Sequence, residues 1–223
     1  MTTLALVPAL DEEDRIEATV RALRSVPGID SVVVIDAGSH DRTATMAAAA
    51  GARVMVSPRR LGKGETLEAS LDRAGPADLF VLADADLGSS AARIGPLLEH
   101  VASGGADMAI AVLPAPPTGG FGLMKRLARA LIRIIAGVAP AEPLSGQRVV
   151  TGRCLQACRP LASGFGVEVG LTADAARLGF RVMEMPIALE HRFTRKDLRG
   201  FVHRGRQGLD SIRAAAPRVL RVR

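Results

Sequence analysis

Two carboxylates one residue apart, Asp84 and Asp86, follow the apolar run Leu-Phe-Val-Leu-Ala that ends at Ala83. Paired carboxylates at the end of a buried strand can hold one hard divalent cation and leave its other positions to phosphate oxygens and water. Three further polar clusters have the same placement. The first apolar run ends in Pro8-Ala9-Leu10-Asp11-Glu12-Glu13, and the second in Asp36-Ala37-Gly38-Ser39-His40-Asp41. The third is followed by Arg59-Arg60-Leu61-Gly62-Lys63-Gly64-Glu65. One such cluster is common, because acidic residues cap helices for structural reasons. Four along one edge point to a ligand. A Gly-x-x-x-x-Gly-Lys-Ser/Thr phosphate loop is absent, and so is a Gly-x-Gly-x-x-Gly after the first strand. P-loop nucleotidase and dinucleotide dehydrogenase chemistry are thereby set aside. A metal-bridged diphosphate in another nucleotide-binding α/β fold is the reading left.

The elements that must position these residues follow from the hydrophobic pattern. Strands are expected over 3–7, 31–36, 52–56, 79–83 and 108–113, and helices over 12–25, 41–50, 64–74 and 90–103. Strands alternating with helices of this length imply βαβ units, a mostly parallel sheet and helices on both faces. In open sheets of this kind ligands bind beyond the carboxyl ends of the strands. The proline-rich stretch 113–120 is the one internal joint. Beyond it, residues 123–137 read as an amphipathic helix, with Lys125, Arg126, Arg129 and Arg133 on one face and Leu127, Leu131, Ile134 and Ile135 on the other. Such a helix can lie on an anionic membrane. Packing on the core with a cationic solvent face is the commoner arrangement, and the one expected.

Composition narrows the partners. Of 223 residues, 48% are hydrophobic and 23% charged, which suits one globular domain. Residues 1–110 carry 10 basic and 16 acidic side chains, whereas residues 111–223 carry 19 and 7. An acidic half joined to a basic half suggests a metal ion in one and phosphate or a membrane surface in the other. Six Phe with no Trp or Tyr argue against a base-stacking platform, so nucleic acid is not an expected partner. The uncharged stretch 108–124 contains Pro114, Pro116 and Pro117 and does not suit a membrane span. The opening MTTLALVPALDEED has no basic leader segment, so a cytoplasmic location is expected, with a membrane-associated one as its variant. Cys154 and Cys158 are expected to be structural.

In order and spacing, the blocks PALDEE, DAGSHDRT, GKGETLEAS and DADL resemble the nucleotide-sugar glycosyltransferases of the GT-A fold, in the family-2-like group. The later segments GGFGLMKRLARALI, EPLSGQRVVTG, GFGVEVGLTAD and HRFTRKDLRGFVHRGRQ resemble the glucosyl-3-phosphoglycerate synthases, retaining enzymes that use UDP-glucose. The resemblance implies a nucleotide-sugar-binding half over 1–113. It also implies an acceptor-binding half over 114–223 of the same domain, ending in a basic helix. Pro8, Leu10, Asp11 and Glu12 would surround the uracil and ribose, with Asp36 and Ser39 on the base side. Lys63 would approach the phosphates and Asp84 the ribose or metal, while Asp86 and His191 would ligate Mg²⁺ or Mn²⁺. Glu168 would hydrogen-bond the donor sugar, and the loop at Leu144 would lie against the anomeric carbon. Asp86, Glu168 and Leu144 form the expected catalytic set. Arg148 and His203 are weaker acceptor contacts. A homodimer is the expected assembly, and the acceptor is a small molecule or a lipid phosphate. A membrane-bound inverting transferase acting on polyprenyl phosphate is the alternative reading.

Three departures bear on the acceptor. Gly122 and Met124 stand where the resembled synthases have an Arg and a Thr that grip phosphoglycerate, and Phe193 stands where they have an Asn. Asp11 also replaces the usual Asn of the first block. The donor blocks are intact, so 3-phosphoglycerate is expected to be a poor acceptor.

Overall fold

The computed structural model describes residues 1–113 and 122–189, together with Asp210, Arg213, Ala214 and Arg218. Its centre is one seven-stranded sheet in the order β3-β2-β1-β4-β6-β5-β7. The strands are β1 (Thr3–Ala9), β2 (Ser31–Asp36), β3 (Arg53–Val56), β4 (Leu79–Leu82), β5 (Met108–Val112), β6 (Arg148–Thr151) and β7 (Val182–Pro186). All neighbouring pairs run parallel except those of β6, which lies antiparallel between β4 and β5. The fold is therefore the expected α/β arrangement, and its sheet draws strands from both halves of the chain.

Side chains alternate across β1, so that Ala5 and Val7 join one core layer and Leu4 and Leu6 the other. The first layer is closed by α1 (Ile16–Arg24), a 3-10 helix over Gly88–Ile94 and α4 (Gly95–Ala102). The second is closed by α3 (Lys63–Ala74), α6 (Gly152–Ala157) and α7 (Val167–Arg177). Both Cys154 and Cys158 are buried in that second layer. Among the described residues the remaining helices are α2 (Thr43–Ala49), α5 (Gly122–Ala136) and a 3-10 turn over Gly164–Gly166.

Three expectations need correction. The helix expected over 90–103 is two pieces, because Pro96 opens α4 and supplies no N–H to the turn before it. The helix expected from residue 12 begins at Ile16, since Asp11 is left-handed and residues 13–15 form a turn in which the Arg15 and Ile16 N–H groups both donate to the Glu12 carbonyl. In α5 the buried stripe is Ala128, Ile132 and Ile135 against Val169 and Ala173 of α7, while Ile134 is 62% exposed. Lys125 is ion-paired with Glu142, and Arg129 donates to the carbonyls of Pro140 and Ala141, so half of the basic face is spent on the segment that follows the helix. The stretch 114–121 lies outside the described residues.

Candidate active site

The chain leaves β1 toward β2 and β3 on one side, then crosses to β4 on the other. The crevice at the carboxyl ends of β1 and β4 is the switch point where open sheets take ligands. On its β2 side, Asp36 is 3% exposed and accepts hydrogen bonds from the backbone N–H of Ser39, at 3.2 Å, and from its hydroxyl. Asp11 adopts φ +55, a left-handed conformation that Asp and Asn tolerate better than other non-glycine residues. Its N–H donates to Ser39 Oγ at 2.9 Å, and its Oδ1 accepts the His40 N–H at 2.9 Å. Its Oδ2 pairs with Arg60 at 3.0 Å, so the charge gained over the usual Asn has a counter-ion. Asp11, Asp36 and Ser39 are thus brought into one rim, with Pro8 and Leu10 at its β1 side.

On the β4 side, Asp84 and Asp86 follow the last residue of the strand. Arg15 Nη1 donates to the Asp86 carbonyl at 3.2 Å, and Thr19 Oγ1 to that of Ala85 at 2.7 Å, tying the Asp-Ala-Asp segment to α1. Lys63 opens α3 and reaches across to two carboxylates: Nζ lies 2.5 Å from Asp84 Oδ1 and 2.7 Å from Glu168 Oε1. The Lys63 side chain is 16% exposed, that of Glu168 7% and that of Asp84 33%. Burial alone would push the lysine pKa down, but the fields and hydrogen bonds of Asp84 and Glu168 outweigh it and hold the pKa above its ordinary value. The glycine after Lys63 is sterically required, because a Cβ on Gly64 would lie 1.9 Å from the Ala162 carbonyl oxygen.

The loop 144–147 closes the cleft. A Cβ on Gly146 would meet Lys63 Nζ at 2.5 Å and both Asp84 oxygens at 2.7 Å, so any other residue here would displace the Lys63–Asp84 pair. Gln147 Nε2 donates to Asp84 Oδ2 at 2.6 Å. Leu144 is half-buried against the α5–α7 cluster. Arg148 is 1% exposed, which places it beneath the loop rather than on an open acceptor surface. Burial pushes its guanidinium pKa down to about 10, against the opposing fields of Glu168, Glu184 and Asp84.

Lys63, Asp84, Gly146 and Glu168, which the sequence scatters over more than a hundred residues, therefore meet at one point. Gln147, Thr172 and Arg15 belong to the same cluster and were not singled out by sequence reasoning. Gln147 and Thr172 had a signal, their places in the EPLSGQRVVTG and GFGVEVGLTAD blocks; Arg15 had none. His191 and His203 lie outside the described residues, as does Phe193.

Comparison with known proteins gives the family. The model of glycosyl transferase family 2 matches residues 5–146, from β1 through the Gly146 loop. The chain belongs to this family. Among its relatives, the glucosyl-3-phosphoglycerate synthase of Mycolicibacterium paratuberculosis is 35% identical over 206 residues, covering 80% of this chain and 61% of that one. The synthase of Mycolicibacterium smegmatis is 33% identical over 203 residues, with 80% and 65% covered. The chain thus spans a little over three fifths of the length of these relatives. The structure of the Mycobacterium tuberculosis glucosyl-3-phosphoglycerate synthase in complex with Mn²⁺, UDP-glucose and phosphoglyceric acid superposes with a TM-score of 0.81 and 29% identity, covering 98% of this chain and 79% of that one. Within family 2, then, the GT-A architecture is shared across nearly all of the chain.

Proposed function

We propose that this family 2 protein is a divalent-metal-dependent glucosyltransferase that uses UDP-glucose, retains the anomeric configuration and serves an acceptor other than 3-phosphoglycerate. The observation that carries the reading is Lys63 held between Asp84 and Glu168 under Gly146 at the switch point of the sheet. A lysine fixed there stands ready for a diphosphate, while Glu168 presents a buried carboxylate oxygen to sugar hydroxyls. The likeness to a structure holding UDP-glucose and Mn²⁺ supports the donor and the metal.

The donor set suits a metal that arrives with the nucleotide. Among the described residues no group of three His, Cys, Asp or Glu could cage an ion. A small hard cation shared with a diphosphate needs only one or two protein carboxylates, and Asp86 would supply one. When bound, Mg²⁺ or Mn²⁺ neutralises charge on the leaving diphosphate. His191 is the second ligand proposed. The chain's own residues then have separable tasks. The rim of Asp11, Asp36 and Ser39 holds the base and ribose. Lys63 balances the phosphates, and Glu168 orients the sugar. As the bond from the anomeric carbon to UDP breaks, the acceptor oxygen bonds to the same face and its proton passes to the departing phosphate oxygen.

The donor half is proposed as 1–113 and the acceptor half as 114–223. Gly122, Met124 and Phe193 in place of the expected Arg, Thr and Asn are the reason for a different acceptor. Among the described residues no helix is long and apolar enough to cross a membrane. Neither the polyprenyl-phosphate alternative nor a membrane contact draws support from the relatives, and the expected homodimer remains a proposal.

The test is thermal unfolding with UDP-glucose, with and without Mn²⁺. A ligand at a hundred times its Kd adds about 2.7 kcal/mol, which for a chain of this size raises Tm by roughly 5–10 °C. A metal-dependent rise with UDP-glucose, together with slow UDP release, is expected. A rise with purine nucleotide sugars and none with UDP-glucose would overturn the donor.

A further inference from the structure

Arg148 opens β6 and is the bulkiest fully buried side chain among the described residues. The antiparallel register sets it opposite Leu82, the last residue of β4, two positions before Asp84. Its guanidinium makes two directed contacts to oxygen, besides a long one from Nη1 to the Met108 sulfur at 3.9 Å. Nε donates to the Ser145 carbonyl at 2.8 Å, and Nη1 donates to the Thr172 hydroxyl at 2.8 Å. The Thr172 hydroxyl donates onward to the Glu168 carbonyl at 2.8 Å. Nη2 is buried without a hydrogen-bond partner, and Arg148 lines a small cleft together with Lys63, Gly146 and Glu168.

A guanidinium is a costly way to fill this space. Buried charges give little net stability over apolar residues of the same volume, so packing does not explain the choice. What the group does supply is a rigid planar fork of donors. One arm grips the loop that carries Gly146 and Gln147. The other grips, through Thr172, the first turn of the helix that carries Glu168.

The geometry points to Arg148 as a positioning residue for glucosyl transfer: it locks the 144–147 loop to α7, so that Gly146 and Glu168 meet the donor sugar at a fixed separation. The inference rests on the reading of this cleft as the UDP-glucose site. Arg148 also remains as the buried positive charge near Glu168 when Lys63 turns toward a diphosphate, which keeps that carboxylate from being buried uncompensated.

The experiment compares wild type, Arg148→Met, Arg148→Lys and Thr172→Val in Mn²⁺. The readouts are Kd for UDP, Kd for UDP-glucose, kcat, KM and backbone hydrogen exchange. Arg148 makes no hydrogen bond to Asp11, Asp36, Ser39 or Lys63, the residues proposed to hold UDP, so the UDP Kd should stay within about twofold in every variant. Arg148→Met should erase the difference in affinity between UDP-glucose and UDP. It should also lower kcat by roughly 10²-fold, the penalty of misplacing a reacting group by about an ångström. Arg148→Lys should recover only part of the loss, because an ammonium cannot serve both arms of the fork. Thr172→Val keeps the arginine and should fall between; it carries the test if Arg148→Met does not fold. Unchanged kcat and an unchanged ratio of the two Kd values in the folded variants, with only Tm lowered, would make Arg148 a structural residue and overturn the proposal. Wild type that binds no UDP-glucose would instead remove the donor assignment. The lock is then judged by exchange alone: in Thr172→Val the amides of 145–147 and 167–170 must speed up together. If they do not, the lock is refuted.

Discussion

Replacing Lys63 by methionine keeps the length of the side chain and removes the charge between Asp84 and Glu168. Two carboxylates then share a site that is closed on one side, since Glu168 is 7% exposed and Asp84 33%. Removing one partner of a buried pair costs about 3–5 kcal/mol, and the part-exposed Asp84 side adds no more than the ~0–1 kcal/mol of a surface pair. For a chain of this size that lowers Tm by on the order of 6–24 °C. The protein has no Trp or Tyr, so far-UV circular dichroism is the suitable probe of unfolding. The pH dependence gives a second handle. The lysine pKa is raised in the folded protein, so its stabilisation is fully present below the unfolded value near ~10.4 and is lost as the pH rises through the folded value. The gap in Tm between wild type and variant should be level from neutral pH to about 10 and should narrow in more alkaline solution. A variant within about 2 °C of wild type at pH 7, or a gap that does not narrow, would show that Lys63 is not the cation holding this cluster together.

Asp86→Ala should abolish the Mn²⁺-dependent part of UDP-glucose binding and Asp84→Ala should weaken it; unchanged metal dependence in Asp86→Ala, measured by calorimetry, would sink the assignment. Gly146→Ala places a methyl group where Lys63 Nζ and the Asp84 oxygens now lie, at 2.5 and 2.7 Å, so that pair must shift and turnover should fall while UDP still binds. With UDP-glucose as donor, 3-phosphoglycerate should be turned over poorly, because Gly122, Met124 and Phe193 replace polar contacts. Efficient transfer in a UDP-release assay would show that other residues grip the acceptor.

The proposed donor side of this site was legible in the sequence for a physical reason. In a parallel sheet with both faces covered, each strand is a continuous apolar run, and the first polar residues after it stand at the ligand edge. Asp36, Asp84 and Asp86 could be placed by that rule alone: the structure ends β2 at Asp36 and sets Asp84 and Asp86 in the segment just beyond β4. Lys63 needed one more step, its two flanking glycines. The close approach of Gly64 to the Ala162 carbonyl shows why the second of these is there.

What local pattern could not show is the antiparallel strand β6. Arg-Val-Val-Thr is only four residues long, and its place between β4 and β5 is a pairing between distant segments that no periodicity reveals. An arginine in a basic half reads as an acceptor contact, the role expected of Arg148. Its burial is decided by the strand inserted around it. The same insertion carries residues 144–147 over Asp84 and Lys63, and it aims the arginine at Thr172 on α7. Asp84 comes from the acidic half of the chain, and Gly146, Arg148 and Glu168 from the basic half. The out-of-order strand is what joins them, so the site's charge balance is a property of the sheet topology rather than of either half.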